Sequence, residues 1–482
     1  MRITSIVILF LLIAIPPVFS QDDLPDDYLG ADFHAGRRDS LRAIMPANSV
    51  TIVPAYPTRN FSNDVEYVFH QNPDMYYFTG YKEPHSLLFI FKEPQTHSDG
   101  STYKELLFVQ KRNPLAERWT GRRLGVEGVK EKLKIDNAYN GEAFKDFSID
   151  FSKFEKILYG ELPDDVQDQT QDGADLYDLL LQVKQKAGLP AAGAKDKRFD
   201  NNMYNQLTGS LREIKTEAEM VLLRKAVEIS CAGQAEVMKA IKPNMSEREL
   251  QGLHEFVHKK YGAEHWGYPS IVGAGNNGCV LHYQENEKLH VENRMVLMDV
   301  GAEYHGYTAD VTRTIPANGK FTPEQKTIYE IVYQAQEEAF RLCREGASWQ
   351  ELNTKARDVI AEGLIKLGII KQKSEVSKYY PHGLGHHIGL DVHDRGSYQK
   401  LKKGMVITIE PGIYIPENSQ CDKKWWGIAV RIEDDLLIRE KDYELLSISA
   451  PRKVEDIEKM IALKSALDDF ILPPLKSAKK GF

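Results

Sequence analysis

Four stretches of this chain announce a helix start in the same way. Thr216, Ser246, Thr322 and Ser348 are each followed three residues later by Glu219, Glu249, Gln325 and Glu351. A hydroxyl and a carboxyl or carboxamide at that spacing satisfy each other's unpaired backbone N–H groups, which is a capping box. Pro323 takes the first helical position of the third, where a missing N–H costs nothing. Pro243 and Gly368 mark the ends of the first and fourth helices. The four fall into two pairs, with starts 30 and 26 residues apart. Each pair is followed by a histidine, a β-like segment and an acid: His282, MVLMDVG and Asp299 in one half, His393, MVITIEPG and Glu410 in the other. This order predicts an internally duplicated αα-ββ unit whose two acidic strands face each other across a pseudo-twofold axis.

Upstream, SVTIVPAY, SLLFIFK and ELLFVQK read as strands, with YDLLLQVKQKAG as a helix among them. The fold class expected is therefore α/β (α+β), with an amino-terminal α/β domain over 32–205 and a duplicated catalytic domain over 212–455. The boundary is placed in the polar stretch between Asp200 and Arg212, and 456–482 is read as a tail. A length of 482 residues suits two or three domains, and 42% apolar with 27% charged residues describes a globular chain. The net charge of −8 comes from mixed charges, which argues against nucleic-acid or anionic-membrane partners.

The first twenty residues differ from the rest. Arg2 precedes the apolar run Ile6–Ile15, then Pro16-Pro17 and the small Ser20. This predicts a signal peptide over 1–20 and an exported protein, periplasmic or secreted, with no membrane contact after cleavage. The run is too short to span a bilayer. An acidic linker, 21–31, follows. Cys231, Cys279, Cys343 and Cys421 are scattered and read mainly as structural thiols, with room for one disulfide. Asn60 and Asn244 match glycosylation acceptors.

The carboxylates carry the chemistry. Asp299 and Asp310 lie in MVLMDVGAEYHGYTADVTRTIP, Glu410 ends MVITIE, and Glu433 follows Arg431 in GIAVRIEDD. Period-two alternation delivers each onto a face that should be core. One such acid is an ordinary turn or edge residue. Four in matching places are not, because buried carboxylates are costly unless paired or bound to metal. Arg431 balances one of them at most. Two divalent cations would neutralise four carboxylates, and one imidazole would complete a five-ligand set. The oxygen-rich donors favour Mn²⁺, Co²⁺ or Fe²⁺ over a thiolate-type zinc site. Residues 381–394, PHGLGHHIGLDVHD, offer four imidazoles. His382 and His386 stand four apart as on a zinc-binding helix, but Gly383, Gly385 and Gly389 disfavour a helix there.

Asp299, Asp310, His386, Glu410 and Glu433 stand in the ligand order of the pita-bread metallopeptidases, which the mature chain resembles over essentially its whole length. HGLGHHIGLDVHD, TIEPGIYI and VRIEDD resemble the proline-specific branch, aminopeptidase P and prolidase. FHQNPDMYYFTGYKEPHSLLF and AERWTGRRLG resemble the amino-terminal domain of aminopeptidase P. The resemblance implies a pita-bread catalytic domain behind that first domain, and two divalent ions, Mn²⁺ first with Co²⁺, Fe²⁺ or Zn²⁺ as alternatives. It implies removal of the first residue from peptides with proline second, and a homo-oligomer, dimer or tetramer. His386 would be the ligand, and His282, His382 and His393 would line the substrate site, with His282 and His393 stabilising the oxyanion. Glu410 would shuttle the proton and Arg431 would anchor the site or the substrate. His387 is then packing or surface. The alternatives are a prolidase confined to Xaa-Pro dipeptides and a silent peptide-binding relative. Trp119, Trp425 and Trp426 are read as packing, or as an apolar wall for the substrate.

Overall fold

The computed structural model describes residues 25–160, 162–169, 172–189, 196–469 and 472. The expected signal peptide, the first part of the acidic linker and the chain's last ten residues lie outside them.

The amino-terminal region begins with helix α1 (Ala31–Ile44). Strands β1 (Ser49–Pro54), β2 (Leu87–Thr96), β3 (Thr102–Val109), β4 (Ala138–Asn140) and β5 (Lys156–Tyr159) form one mixed sheet in the order β4-β3-β2-β1-β5. β1–β2 and β2–β3 are antiparallel, while β1–β5 and β3–β4 are parallel. Between β1 and β2 lies the short helix α2 (Pro73–Thr79), started by Asn72, whose side chain accepts from Asp74 N. Phe89, Phe91, Phe108, Phe144 and Phe151 fill one face of the sheet, together with Leu179 and Val183 of helix α3 (Leu176–Ala187). Burying each such ring is worth about 1.5–3 kcal/mol.

The polar stretch expected as a domain boundary is a helix, α4 (Asn201–Arg212), capped by the Asp200 side chain, which accepts from Met203 N. Its polar sequence hides one buried face, Tyr204, Thr208, Gly209 and Arg212, which packs between the two domains. A period-3.6 pattern made of polar residues is easily mistaken for a linker.

All four capping boxes form. They start α5 (Glu217–Ala240), α6 (Glu247–Lys260), α7 (Pro323–Phe340) and α8 (Trp349–Lys366). The helices pack as the pairs α5–α6 and α7–α8. In the first half, β6 (Ile271–Ala274), β7 (Met295–Val300) and β8 (Val311–Pro316) form an antiparallel sheet with β7 central. In the second, β9 (Val406–Ile409) pairs with β12 (Asp434–Ile438), and β10 (Gly412–Ile415) pairs with β11 (Ile428–Arg431). The halves are stitched along β8 and β11. Thr314 Oγ1 donates to Arg431 O at 2.9 Å, and Glu433 N donates to Thr312 O at 3.1 Å. One apolar core serves both halves, joining Val237 and Met298 to Ile409 and Ile432. Across the expected domain end at 455, the last helix among the described residues (Val454–Ile461) buries Val454 and Ile457.

Candidate active site

The seam between the halves brings the acids together, though not as alternation predicts. Only Asp299 lies inside a strand, on β7. Asp310 stands just before β8, Glu410 just after β9, and Glu433 in the break between β11 and β12. Pro411 cannot donate to a ladder, so β9 ends where Glu410 must turn inward. A strand end frees the side chain from the sheet face and lets it aim into the cavity.

That cavity holds about 510 Å³ and is lined by all nine residues singled out from the sequence: Asp299, Asp310, His386, Glu410, Glu433, His282, His382, His393 and Arg431. At its floor, His386 Nε2 stands 3.5 Å from Asp310, 3.7 Å from Glu410 and 4.0 Å from Glu433. These separations are too long for good hydrogen bonds. The other ring nitrogen, Nδ1, lies 3.0 Å from His387 O. With Nδ1 held on that carbonyl, Nε2 is the ring nitrogen turned toward the three carboxylates, the one a bound cation would take in place of a proton. Gly385 makes the approach feasible, since a Cβ there would stand 2.0 Å from Thr408 O.

Partners for the acids are few. Thr312 Oγ1 donates to Glu433 Oε2 at 2.7 Å, while Glu433 Oε1 is buried with no hydrogen-bond partner among the described residues. Tyr268 OH stands 2.6 Å from both Asp299 and Asp310. It has one proton for two carboxylates. Arg431 donates to Asp299 and, at 2.9 Å, to Tyr414 OH. Burial, then the charges of Asp310, Glu410 and Asp299, push Glu433 well above the usual carboxylate range. Burial likewise lifts Glu410 to about 7, against the opposing pull of His386 and Arg431. Burial alone would lower His386, but Asp310 and Glu410 outweigh it and raise the imidazole to about 9. A buried cluster this short of positive charge is a cation site. The ligand atoms of Asp310, His386 and Glu433 all lie within 4.8 Å of one another.

The remaining histidines divide. His382 is fully engaged, with Nδ1 2.8 Å from Gly383 O and Nε2 2.8 Å from Tyr414 OH. Burial and the Arg431 charge lower it to about 4. His282 and His393 make no hydrogen bond among the described residues and line the cavity wall. His387 is buried against Trp349 and Tyr398, with Nε2 3.0 Å from Ser397 O, which is the packing role. Trp425 is buried in the main core with Trp426 packed against it, and Trp119 is 90% exposed. None of the three lines the cavity. All four cysteines are free. Tyr268 and Tyr414 escape sequence reasoning. Tyr414 alternates within GIYI like any strand residue, and Tyr268 sits in a short loop that carries no motif.

Comparison with known proteins agrees with this arrangement. Residues 221–440 match metallopeptidase family M24, and residues 34–158 match the aminopeptidase P N-terminal domain. Xaa-Pro aminopeptidase of Escherichia coli K12 is 36% identical over 444 residues, 88% of this chain and 96% of that protein. The chain belongs to the aminopeptidase P family of M24 metallopeptidases. Human Xaa-Pro aminopeptidase 3 is 33% identical over 87% of this chain and 82% of its own length. The structure of E. coli aminopeptidase P with the inhibitor Pro-Leu superposes with a TM-score of 0.78, at 33% identity, over 90% of this chain and 98% of that one. The fold is thus an aminopeptidase P amino-terminal domain followed by a pita-bread catalytic domain, and the chain is a metallo-exopeptidase of the Xaa-Pro aminopeptidase family. The family implies divalent metal ions. The orphaned Glu433 Oε1, the inward-turned His386 Nε2 and the doubly claimed Tyr268 hydroxyl all fit that requirement.

Proposed function

We propose that this is an exported, dinuclear Xaa-Pro aminopeptidase acting on peptides with proline in second position. One observation carries the reading: four carboxylates converge on His386 in the cavity, and Arg431 is the one guanidinium among the described residues that lines it. Asp299, Asp310, His386, Glu410 and Glu433 would hold two divalent ions, with Mn²⁺ favoured by the oxygen-rich donors over Co²⁺, Fe²⁺ or Zn²⁺. Bound there, the ions supply Lewis acidity and a water of lowered pKa.

The chain's own residues do the rest. Glu410 takes the proton of the attacking water and delivers it to the prolyl nitrogen as the C–N bond breaks. His282 and His393, whose rings make no hydrogen bond among the described residues, donate to the oxyanion that develops on the scissile carbonyl. The Tyr414 hydroxyl donates to His382 Nε2 and accepts from Arg431, so the three form one wall of the substrate site. The names of the relatives, Xaa-Pro aminopeptidases among them, support the substrate class.

Export rests on Arg2, the apolar run Ile6–Ile15 and Ser20. Assembly as a dimer or tetramer through the first domain is supported by exposed apolar side chains there, Phe61, Val68, Leu115 and Trp119.

The test is a mass-spectrometric digest by the Mn²⁺-loaded chain of Xaa-Pro dipeptides, Xaa-Pro-Yaa peptides and matched peptides without proline. Loss of the first residue from the longer Xaa-Pro peptides is expected. Cleavage of dipeptides alone would make the chain a prolidase. No cleavage with metal bound would leave a binding protein.

A further inference from the structure

His393 faces the cavity with no hydrogen bond to either ring nitrogen among the described residues, and its one ring contact among them is edge-on with His386, centroids 4.3 Å apart. Its aim therefore comes from the main chain on each side of it. Two residues earlier is Asp391, and the next residue is Asp394. Both are held by one guanidinium from outside the cavity: Arg212 Nη2 lies 2.7 Å from Asp391 and 2.6 Å from Asp394. The other arm, Nη1, takes Asp74 of α2 at 2.9 Å. Lys215 adds a second hold on Asp394 at 3.1 Å. Arg395 reaches Asp74 at 2.7 Å, and Tyr204 OH donates to the same carboxylate at 2.6 Å.

The network matches three cations to three carboxylates, and the side chains of Arg212, Asp74 and Asp394 are each 1% exposed. Buried ion pairs of this kind stabilise a fold no better than an apolar plug of the same size, because desolvation offsets the attraction. What an apolar plug does not do is fix direction. A planar fork gripping carboxylates on both sides of a histidine does so, since Arg presents its donors in one rigid plane. Gly389 allows the closeness, as a Cβ there would stand 2.1 Å from Asp394 Oδ2.

We propose that Arg212 is a positioning residue for His393, so that Asp74 of the amino-terminal domain, through Arg212, helps to aim a donor at the reacting carbonyl. The inference rests on the reading of His393 as an oxyanion donor. It assigns the first domain a part in the chemistry, separate from any part in assembly.

The experiment is a double-mutant cycle on the metal-loaded full chain with an Xaa-Pro-Yaa tripeptide. Asp391→Asn, Arg212→Lys and His393→Ala are made singly, and the first two also in the His393→Ala background. The Asp391 side chain is 41% exposed against 1% for Arg212, so Asp391→Asn is the milder change and keeps the test open should Arg212→Lys fail to fold. Asp391→Asn should lower kcat about tenfold, the scale of a small misplacement of a catalytic donor. KM, melting temperature and calorimetric metal affinity should each stay near the parent values. In the His393→Ala background the same change should cost less than about twofold, because residues acting as a unit are not additive. A full tenfold loss persisting there, or an unchanged kcat in Asp391→Asn, would overturn the proposal alone. Full activity in His393→Ala by itself would remove the reading of His393, and this proposal with it.

Discussion

Gln234 and Gln336 occupy equivalent places in the two halves of the catalytic domain and make equivalent bonds. Each is completely buried, on α5 and α7 respectively. Gln234 Nε2 donates to Met298 O at 3.0 Å and Val311 O at 2.7 Å, so it bridges the residue before Asp299 to the residue after Asp310. Gln336 Nε2 donates to Ile409 O at 2.9 Å and Ile432 O at 3.0 Å, the residues before Glu410 and Glu433. Two carboxamides thus tie the main chain behind each pair of acids, one per half.

Gln336 also donates to Asp434 at 2.9 Å and accepts from Arg452 at 2.9 Å, so its loss should be the more severe. Gln336→Met leaves buried carbonyls unpaired and should cost roughly 2–4 kcal/mol in urea unfolding, with Gln234→Met costing less. Gln336→Glu should be worse than Gln336→Met, since a carboxylate cannot donate to the two carbonyls. Calorimetric metal titration of the folded variants should show weakened binding, because the strand ends that carry the acids lose their tie.

Glycines within the histidine cluster should differ sharply in tolerance. A Cβ on Gly385 would meet the Thr408 carbonyl at 2.0 Å, in the segment where His386 N bonds Thr408 Oγ1 and Thr408 N bonds His386 O. Gly383 has only Asn353 Oδ1, at 4.0 Å. Gly385→Ala should destabilise by about 1–3 kcal/mol or more and loosen metal binding, as overpacking against backbone does. Gly383→Ala should leave both near the parent values.

Much of this was legible in the residues. The four capping boxes located the helices because a cap is a local bond with a fixed spacing. The carboxylates were legible because a charge on an apolar strand has no structural excuse. The strand-end placement of Asp310, Glu410 and Glu433 was not, since alternation describes a continuous strand and says nothing of where pairing stops. Tyr268, Tyr414, Arg212 and the two glutamines stayed invisible for a different reason. Their partners lie far along the chain: Arg212 bonds Asp391 across 179 residues, and Gln234 bonds Met298 across 64. Only tertiary folding creates those neighbours. The duplication does not pair Gln234 with Gln336 either, since they stand 18 and 14 residues after their caps, and a buried glutamine looks like an exposed one in a helix pattern.

Chelation should expose the cost of the acidic cluster. Glu433 and Glu410 carry raised pKa values in the folded, metal-free chain, Glu410 near 7. A carboxyl whose folded pKa exceeds its unfolded value of about 4.5 makes the fold bind more protons than the unfolded chain. Stability therefore falls as pH rises from about 4.5 through about 7. The melting temperature of the chelated protein should drop between pH 5 and pH 8. Mn²⁺ at 100 times its dissociation constant should restore about 2.7 kcal/mol at pH 8 and flatten the dependence. A chelated protein equally stable at both pH values would mean the four acids are not held together as described.

The acidic segment at the amino terminus should behave in a different pH window. His305 lies between Glu264 on Nδ1 and Asp27 on Nε2, and Tyr28 stacks on its ring with centroids 3.6 Å apart. Burial alone would lower His305, but the hydrogen bonds and charges of Glu264 and Asp27 raise it above its ordinary value. Burial would raise Glu264, yet the bonds from His305 and Tyr28 bring it down to about 2. A histidine with a raised folded pKa contributes stability in full below its unfolded value of about 6.5, and loses it as pH climbs through the folded value. A carboxylate with a lowered pKa contributes above about 4.5 and loses it as pH falls toward about 2. The clasp is therefore strongest between about pH 4.5 and 6.5. The difference in melting temperature between the parent and His305→Gln should be largest near pH 6 and shrink by pH 9. The NMR titration of His305 should move to lower pH in Asp27→Asn. A melting difference that grew toward alkaline pH would mean that neutral His305 holds the segment by packing on Tyr28.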